Sequence, residues 1–338
     1  MSDVPVGLVM PQTASMPRVP TADDVSEFGR TVESLGYDSL WLNESWGCDT
    51  FIELAAAARH TDELRLGTSI VNVFTRTPAT LAMAAASMAR TSDDRFVLGL
   101  GASHPELVED LHNVDWDRPV HRMFETISLL RELLGDGEEL DYESDLFDVS
   151  GFPPLSADVP IYSAALGPAN RRVTGRVSDG WIPYNVPFDD LDNAFETVAG
   201  AASEAGRDPD DVAVVPYVAA VVDDDPEAAR EEIRTNIASY VGGFADDSYK
   251  NAVGEGFADQ ADHIADAWRR GDESAARVAV TDEMVDAIGI AGTPEMAREK
   301  LRSVRDRPLV DEVLVAVPHP VDREMADRTV RELAPSEL

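Results

Sequence analysis

The order of apolar and amphipathic segments in this 338-residue sequence predicts an α/β fold, a (β/α)8 TIM barrel with a helical insertion near its C-terminal strands. Eight short apolar runs are present, and they alternate with helix-like stretches along the whole chain. A doubly wound open sheet is the alternative, but the turn after the first run reads Met10, Pro11, Gln12 and lacks the Gly-x-Gly-x-x-Gly pattern of that fold.

The eight apolar runs are the predicted strands, which cover residues 4–10, 39–42, 64–73, 96–100, 161–165, 180–183, 212–222 and 312–317. Helices are predicted between them, at 21–35, 51–60, 78–90, 118–134, from 168, at 191–205, from 226, at 295–304 and in a last segment that ends near 333. Local signals support individual boundaries. Thr21 and Asp24 have capping-box spacing, and Gly36 follows the first helix as a left-handed stop.

The chain is expected to form one domain over residues 1–338, with two insertions at 136–159 and 242–280. The first insertion is polar and rich in Gly and Pro, so we expect an excursion that contains a short hairpin. The second is too long for a simple connection, and we expect helices that lie over the mouth of the barrel.

The charge balance predicts a salt-adapted protein. Acidic residues number 64 against 28 basic ones, the formal net charge is −36, and Lys250 and Lys300 are the only lysines. Such an acid-rich surface is well suited to high salt, where counter-ions screen its self-repulsion. An apolar content of 44% argues against a disordered acidic chain, and the negative surface argues against nucleic-acid binding.

The sequence also indicates where the protein resides. It has no apolar stretch of membrane-spanning length and no leader-like N-terminus, so a cytoplasmic protein without a membrane partner is expected. A single cysteine, Cys48, excludes an intrachain disulfide and a multi-cysteine metal site. The histidines show no metal-ligand spacing, and no metal site is predicted.

In a barrel of this kind the functional site lies where the strands end. That rule selects residues just past the apolar runs, together with Ser69 to Asn72 inside the third run, as candidates for cofactor and substrate contacts. They are Asn43, Glu44 and Trp46; Ser69, Ile70, Val71 and Asn72; Ser103, His104 and Glu106; Ala165, Leu166, Gly167 and Pro168; and Tyr184 and Asn185.

Three sequence blocks together resemble the bacterial-luciferase-like family. They are LGYDSLW at 35–41, LGTSIVNVFTRTP at 66–78 and LGLGASH at 98–104. Later blocks at 164–168, 179–181 and 290–294 follow in that family's order, so the resemblance covers nearly the whole chain. The resemblance implies an enzyme that uses either FMN or coenzyme F420, a 5-deazaflavin that transfers hydride. It also implies a homodimer.

In the deazaflavin branch of that family, a bulge with a non-prolyl cis peptide in the third strand backs the ring, and it maps here to Ser69–Ile70. The acidic composition favours the same branch, because it is commonest in haloarchaea, which make coenzyme F420. The resemblance therefore implies an F420-dependent oxidoreductase acting on a small organic substrate, with a methylene-tetrahydropterin or tetrahydrofolate reductase as a close relative. An FMN-dependent monooxygenase and a non-enzymatic flavin-binding protein are the two alternatives.

Residues Ala165 to Pro168 are the predicted phosphate site, because a helix start offers free backbone N–H groups and glycine allows close approach. Arg171 and Arg172 follow one turn later, and the helix start at 292–294 is a second candidate for an anionic tail. In the family's sugar-phosphate dehydrogenases a lysine stands where this chain has Pro187, which counts against a sugar-phosphate substrate.

Proton handling next to a transferred hydride needs an acid–base group, and Glu44 and His104 are the predicted ones. Glu106, at a helix start, is interpreted as a capping charge. Trp46 is a candidate wall for the ring or for a flat substrate.

Overall fold

The computed structural model describes residues 4–11, 21–44, 47, 49–244 and 247–338. Its strands are β1 Val6–Val9, β2 Ser39–Leu42, β3 Arg65–Thr68, β4 Val71–Asn72, β5 Phe96–Gly101, β6 Leu140–Glu143, β7 Asp148–Phe152, β8 Ile161–Ala164, β9 Gly180–Trp181, β10 Ala213–Val214, β11 Tyr217–Val222, β12 Ile290–Gly292 and β13 Val313–Ala316. Its helices are α1 Ala22–Ser34, α2 Thr50–Ala58, α3 Pro78–Ser92, α4 Pro119–Leu134, α5 Pro168–Val177, α6 Leu191–Glu204, α7 Pro226–Gly243, α8 Ser248–Arg269, α9 Glu273–Ala279, α10 Asp282–Ile288, α11 Pro294–Arg305 and α12 Arg323–Glu332.

The protein has a mixed α/β fold, as expected, and its main sheet is curled and parallel. Ten strands follow the order β10-β9-β8-β5-β3-β2-β1-β13-β11-β12, and β4 adds to β5. The predicted strand 64–73 is interrupted after Thr68, and the predicted strand 212–222 is divided into β10 and β11. Sequence reasoning missed β12, because three residues are too few to show a periodic pattern.

Two hydrophobic layers position the strands. The larger layer fills the space between the sheet and the helices, and a smaller one lies on the inner, concave side of the sheet around Trp41 and Tyr162, whose rings stack with centroids 6.1 Å apart. Trp41 lies so close to Gly67 that a Cβ there would meet its ring at 2.2 Å, which explains the glycine in the LGT block.

The two predicted insertions contain regular structure. Within 136–159, β6 and β7 form an antiparallel pair, which confirms the expected hairpin. Residues 242–280 hold the end of α7, all of α8 and α9, and α8 is bent at Phe257. Among the described residues, no helix combines the length and apolarity that a membrane crossing requires.

The first helix is fixed at both ends by groups visible in the sequence. Asp24 Oδ2 accepts from the Thr21 N–H at 2.8 Å and Thr21 Oγ1 accepts from the Asp24 N–H at 3.3 Å, which confirms the capping box. Gly36 has φ +84°, as expected for a left-handed stop. Glu33 Oε1 then accepts three N–H groups from residues 62–64 at 2.8–3.0 Å and ties α1 to the turn before β3.

Those three bonds predict a pH-dependent loss of stability. Desolvation opposes ionisation of Glu33, but the backbone donors and Arg95 outweigh it, so its pKa lies below the ordinary 4.5. A lowered folded-state pKa stabilises the protein above the unfolded value, and the gain is lost as pH falls through the folded value. Glu33→Gln should therefore reduce the free energy of unfolding by about 1 kcal/mol at neutral pH, and less in acid. Denaturant unfolding at several pH values measures this.

The control is Glu27→Gln on the exposed face of the same helix, which should change little at any pH. A Glu33→Gln effect of the same size at neutral and acidic pH would contradict the role of the ionised carboxylate.

Candidate active site

The predicted site residues lie at one edge of the sheet, where the parallel strands end. Asn43 and Glu44 follow β2, Ser69 and Ile70 lie between β3 and β4, Ser103 and His104 follow β5, residues 165–168 follow β8, and Tyr184 and Asn185 follow β9. Trp46 lies outside the described residues.

Asn43 links the segment after β3 to Tyr217, the first residue of β11. Its Oδ1 accepts from Ser69 Oγ at 2.9 Å, and its Nδ2 donates to the Tyr217 hydroxyl at 3.3 Å. The Ser69–Ile70 peptide bond is cis, as the resemblance implied. The Ile70 carbonyl accepts from the Glu44 N–H at 3.3 Å, so the end of β2 fixes both sides of the interruption between β3 and β4. Tyr217 was not predicted.

Residues 70–72, at and after the cis peptide, pack against the neighbouring strand and loop. A Cβ on Gly101 would meet the Ile70 side chain at 2.8 Å, so glycine leaves the room that Ile70 needs. Val71 is fully buried. Asn72 Oδ1 accepts from the Phe74 and Thr75 N–H groups at 3.0 Å, whereas its buried Nδ2 has no hydrogen-bond partner among the described residues.

Glu44 is held in an ion pair. One carboxylate oxygen contacts Arg76 Nη1, and the other accepts from Arg76 Nη2 at 2.8 Å and from Thr50 Oγ1 at 3.1 Å. Arg76 also pairs with Asp49 at 2.7 Å. Burial opposes the charge of Arg76, but these carboxylates raise its pKa above the ordinary value. Because both carboxylate oxygens of Glu44 are already bonded, the geometry favours a structural role over an acid–base role. The ion pair joins the loop after β2 to the loop after β4.

A substitution separates those two roles. Glu44→Gln should reduce the free energy of unfolding by about 1–2 kcal/mol, because the guanidinium loses a charged acceptor while Asp49 remains. Chemical denaturation measures this, with Glu132→Gln on the exposed face of α4 as the matched control. Unchanged stability with a large loss of turnover would instead support the acid–base role.

His104 is the better placed acid–base group. Its Nδ1 lies 3.0 Å from Glu106 Oε2 and 3.4 Å from the Leu107 N–H. The shorter contact favours a protonated Nδ1 that donates to Glu106, which leaves Nε2 as the atom that can accept or deliver a proton. The His104 side chain is 18% exposed, and its ring centroid lies 4.5 Å from that of Phe244. Glu106 therefore orients the imidazole.

The start of α5 has the properties expected of an anion site. Gly167 is the N-cap residue, and no described side chain caps this helix. A Cβ at Gly167 would meet nothing within 4 Å, and its φ of −80° suits any residue, so neither packing nor conformation requires glycine there. Open space and free N–H groups at a helix start are what a phosphate needs.

Arg171 brings positive charge to the first turn of α5. It is 4% exposed, and its guanidinium lies 5.3 Å from the Trp181 ring centroid. Nη2 lies 2.7 Å from Glu255 Oε1 in an ion contact without hydrogen-bond geometry, and the buried Nε has no partner in the described part of the chain. Arg171 thus keeps unused donors near Gly167, whereas Arg172 is exposed.

The helix start at residues 292–294 differs. Thr293 Oγ1 accepts from the Met296 N–H at 3.5 Å, and Gly292 packs against the Met296 side chain. This helix caps itself, so the geometry favours a plain N-cap over an anion site.

Tyr184 and Asn185 close the other side of the site. The Tyr184 hydroxyl donates to Asn236 Oδ1 at 3.0 Å, and burial together with neighbouring tyrosines raises the Tyr184 pKa well above its usual value. Asn185 has φ +58°, is 3% exposed, and neither atom of its side-chain amide has a partner among the described residues. A buried amide without partners is costly unless a ligand satisfies it.

Five aromatic rings form a connected cluster that begins next to His104 and ends at Tyr217. We name this cluster the aromatic wall. The rings come from two strand ends and from α7, α8 and their junction, and they are Tyr184, Tyr217, Tyr240, Phe244 and Tyr249. Sequence reasoning predicted Tyr184 and placed helices in 242–280, but it missed the other four rings. The only signal was the dense set of aromatic residues at 240, 244 and 249.

The described residues contain no group of three or more His, Cys, Asp or Glu side chains that could hold a metal ion. The absence of a metal site stays a prediction.

A sequence profile of the luciferase-like monooxygenase family matches residues 5–311. The chain belongs to this family. A 5,10-methylenetetrahydromethanopterin reductase of Methanolobus tindarius is 30% identical over 286 residues, which cover 83% of this chain and 86% of that protein. A Mycobacterium tuberculosis protein, named provisionally as a coenzyme F420-dependent oxidoreductase, is 29% identical over 303 residues, 82% of this chain and 86% of that protein.

The luciferase-like fold also appears in solved structures. The coenzyme F420-dependent tetrahydromethanopterin reductase of Methanopyrus kandleri superposes with a TM-score of 0.79 at 22% identity, over 99% of this chain and 98% of that chain. At this identity the likeness establishes the fold alone.

Proposed function

We propose that this luciferase-like protein is a coenzyme F420-dependent oxidoreductase that transfers a hydride between the deazaflavin ring and a small organic substrate. The observation that carries the proposal is the uncapped helix start at Gly167, with unused donors of Arg171 beside it, on the same edge of the sheet as His104. Relatives of about 30% identity that cover four-fifths of the chain support an oxidoreductase.

The residues present fit a deazaflavin. The pyrimidine part of such a ring has amide-like donors and acceptors, and the unpaired Nδ2 of Asn72 and the unpaired side-chain amide of Asn185 can satisfy them. Ser69, Ile70 and Val71 would lie behind the ring, Asn43 and Ser103 beside it, and residues Ala165, Leu166, Gly167 and Pro168 would hold the phosphate. When bound, the deazaflavin supplies or accepts the hydride.

The protein's own groups would manage the rest of the reaction. His104, oriented by Glu106 through Nδ1, would hold or deliver the proton at Nε2. The Glu44–Arg76 ion pair would fix the loops after β2 and β4, and the Asn43 bridge would keep Ser69 in place.

The proposal includes a closed (β/α)8 barrel in one domain, with insertions at 136–159 and 242–280. Support comes from the segment that contains β10 and β11: the Val215 N–H donates to Trp181 O on one side, and the Pro216 carbonyl accepts from the Leu314 N–H on the other, both at 2.9 Å. Residues 213–222 thus contact β9 through β10 and β13 through β11, which supports closure of the barrel.

We extend the proposal to a salt-adapted, haloarchaeal, cytoplasmic homodimer. The net charge of −36 with two lysines supports the adaptation to salt. Among substrates, a methylene-tetrahydropterin or related folate is favoured by the Methanolobus relative. Sugar phosphates are disfavoured, because Pro187 offers no positive charge where the family's sugar-phosphate dehydrogenases have a lysine.

Titration of the purified protein in high salt with F420 and, separately, with FMN tests the proposal through the visible absorbance and fluorescence of each cofactor. We expect F420 to bind and FMN to bind weakly. Tight binding of FMN with none of F420 would overturn the proposal in favour of an FMN-dependent monooxygenase. F420 binding without turnover on any acceptor would favour a non-enzymatic binder.

A further inference from the structure

The aromatic wall is continuous from His104 to the Asn43 bridge. Phe244 lies 4.5 Å from the His104 centroid, 5.5 Å from Tyr240 and 5.1 Å from Tyr249. Tyr184 lies 4.9 Å from Tyr240 and 4.8 Å from Tyr217, whose hydroxyl accepts from Asn43. The wall therefore extends from His104, the proposed proton-handling residue, to Asn43, which lies beside the proposed site of the deazaflavin ring.

The wall is a lining surface and not a sealed core. All five rings keep partial exposure, whereas the aromatic residues inside the sheet, such as Trp41, are fully buried. Two of the hydroxyls already have a hydrogen-bond partner, since Tyr184 donates to Asn236 and Tyr217 accepts from Asn43. These two residues thus offer ring faces and edges to a ligand more than they offer hydrogen bonds.

The charges around the wall do not suit an anionic group stacked on its rings. Lys250, next to Tyr249, lies 3.4 Å from both Asp247 and Asp262. Arg171, whose unused donors are assigned to the cofactor phosphate, contacts Glu255 and lies over Trp181, not over a ring of the wall. No described lysine or arginine stacks on any of the five rings.

We infer that the aromatic wall binds the substrate, and that the substrate presents a flat, uncharged π system to it. The inference rests on the proposed function, since it assigns the substrate side of the same site. Aromatic rings favour offset-stacked or edge-to-face contacts with a planar partner, and a puckered saturated ring of the same size forgoes them.

A matched pair of probes tests planarity. Coumarin is flat and uncharged, octahydrocoumarin has the same skeleton but is saturated and puckered, and glucose 6-phosphate represents an anionic substrate. Each is titrated calorimetrically into the protein in high salt, with and without saturating F420. We expect coumarin to bind at least about threefold more tightly than octahydrocoumarin, and glucose 6-phosphate to bind most weakly.

Substitutions in the aromatic wall test whether its rings cause the preference for coumarin. Tyr240→Leu and Tyr249→Leu should each weaken coumarin binding by about threefold to tenfold, while Tyr240→Phe keeps the ring and stays within about twofold. Tyr142→Leu, in the β6–β7 hairpin, is the matched control and should change nothing. If a leucine variant fails to fold, the two coumarins on the parent protein remain the test.

Equal binding of the two coumarins, or tighter binding of glucose 6-phosphate, would overturn the inference. Selective coumarin binding without any F420 binding would refute the proposed function and leave the wall as a site for flat ligands. The two failures are therefore distinguishable.

Discussion

Gly167→Asp should weaken F420 binding at least about a hundredfold while the fold stays intact. The substitution places a carboxylate where the phosphate is proposed to bind, and juxtaposed like charges cost several kcal/mol. The fold should tolerate it because a Cβ at this position meets nothing within 4 Å and the backbone φ of −80° is ordinary. Titration followed by the cofactor's fluorescence measures affinity, and circular dichroism with thermal unfolding checks the fold.

Gly137→Asp is the matched control. Gly137 also has nothing within 4 Å of its Cβ position, and it lies in the connection after α4, away from the carboxyl edge of the sheet. It adds the same charge to the same acidic chain, so any general electrostatic effect on an anionic cofactor appears in both variants. Equal affinities for F420 in the Gly167→Asp and parent proteins would remove the phosphate site from residues 165–168.

His104→Ala should lower turnover by about 100-fold to 10,000-fold, the usual contribution of a positioned acid–base group, and leave F420 affinity within about threefold. The reason is geometric: Glu106 holds Nδ1 at 3.0 Å, so Nε2 is the atom available to the substrate. The measurement is steady-state oxidation or reduction of F420 with the first acceptor that supports turnover.

His112→Ala is the control, since that histidine is exposed on the same strand-to-helix connection. Full turnover by His104→Ala would assign proton handling to another group. Loss of F420 binding would make His104 a cofactor contact.

The sequence predicted most of the elements and the edge of the sheet to which the candidate site is assigned, but it missed β12 and α10. Strand and helix patterns are local, so alternating runs and the Thr21 capping box could be read directly. Asn43 and His104 were predicted as site residues because they directly follow apolar runs, and the structure places both after strands at the same edge of the sheet. The position of the cis peptide came from the resemblance to a family and not from the residues themselves.

Contacts between distant segments could not be read in the same way. The Glu44–Arg76 pair joins residues 32 positions apart, and the Asn43–Tyr217 bond joins residues 174 apart. Nothing in the neighbourhood of Glu44 shows that its carboxylate is engaged. The aromatic wall depends on the path of α7 and α8 back to His104, which side-chain periodicity does not encode.

Arg171 connects the two halves of the proposed site. Its guanidinium stands in the first turn after Gly167, and its ion contact reaches Glu255 on α8, the helix that carries Tyr249. An anion at Gly167 would compete with Glu255 for the same guanidinium, and such competition couples the two equilibria reciprocally. Cofactor occupancy would then set how firmly α8 is held against α5. The expected signature is reciprocal: bound F420 should change the Kd of the substrate, and the bound substrate should change the Kd of F420 by the same factor.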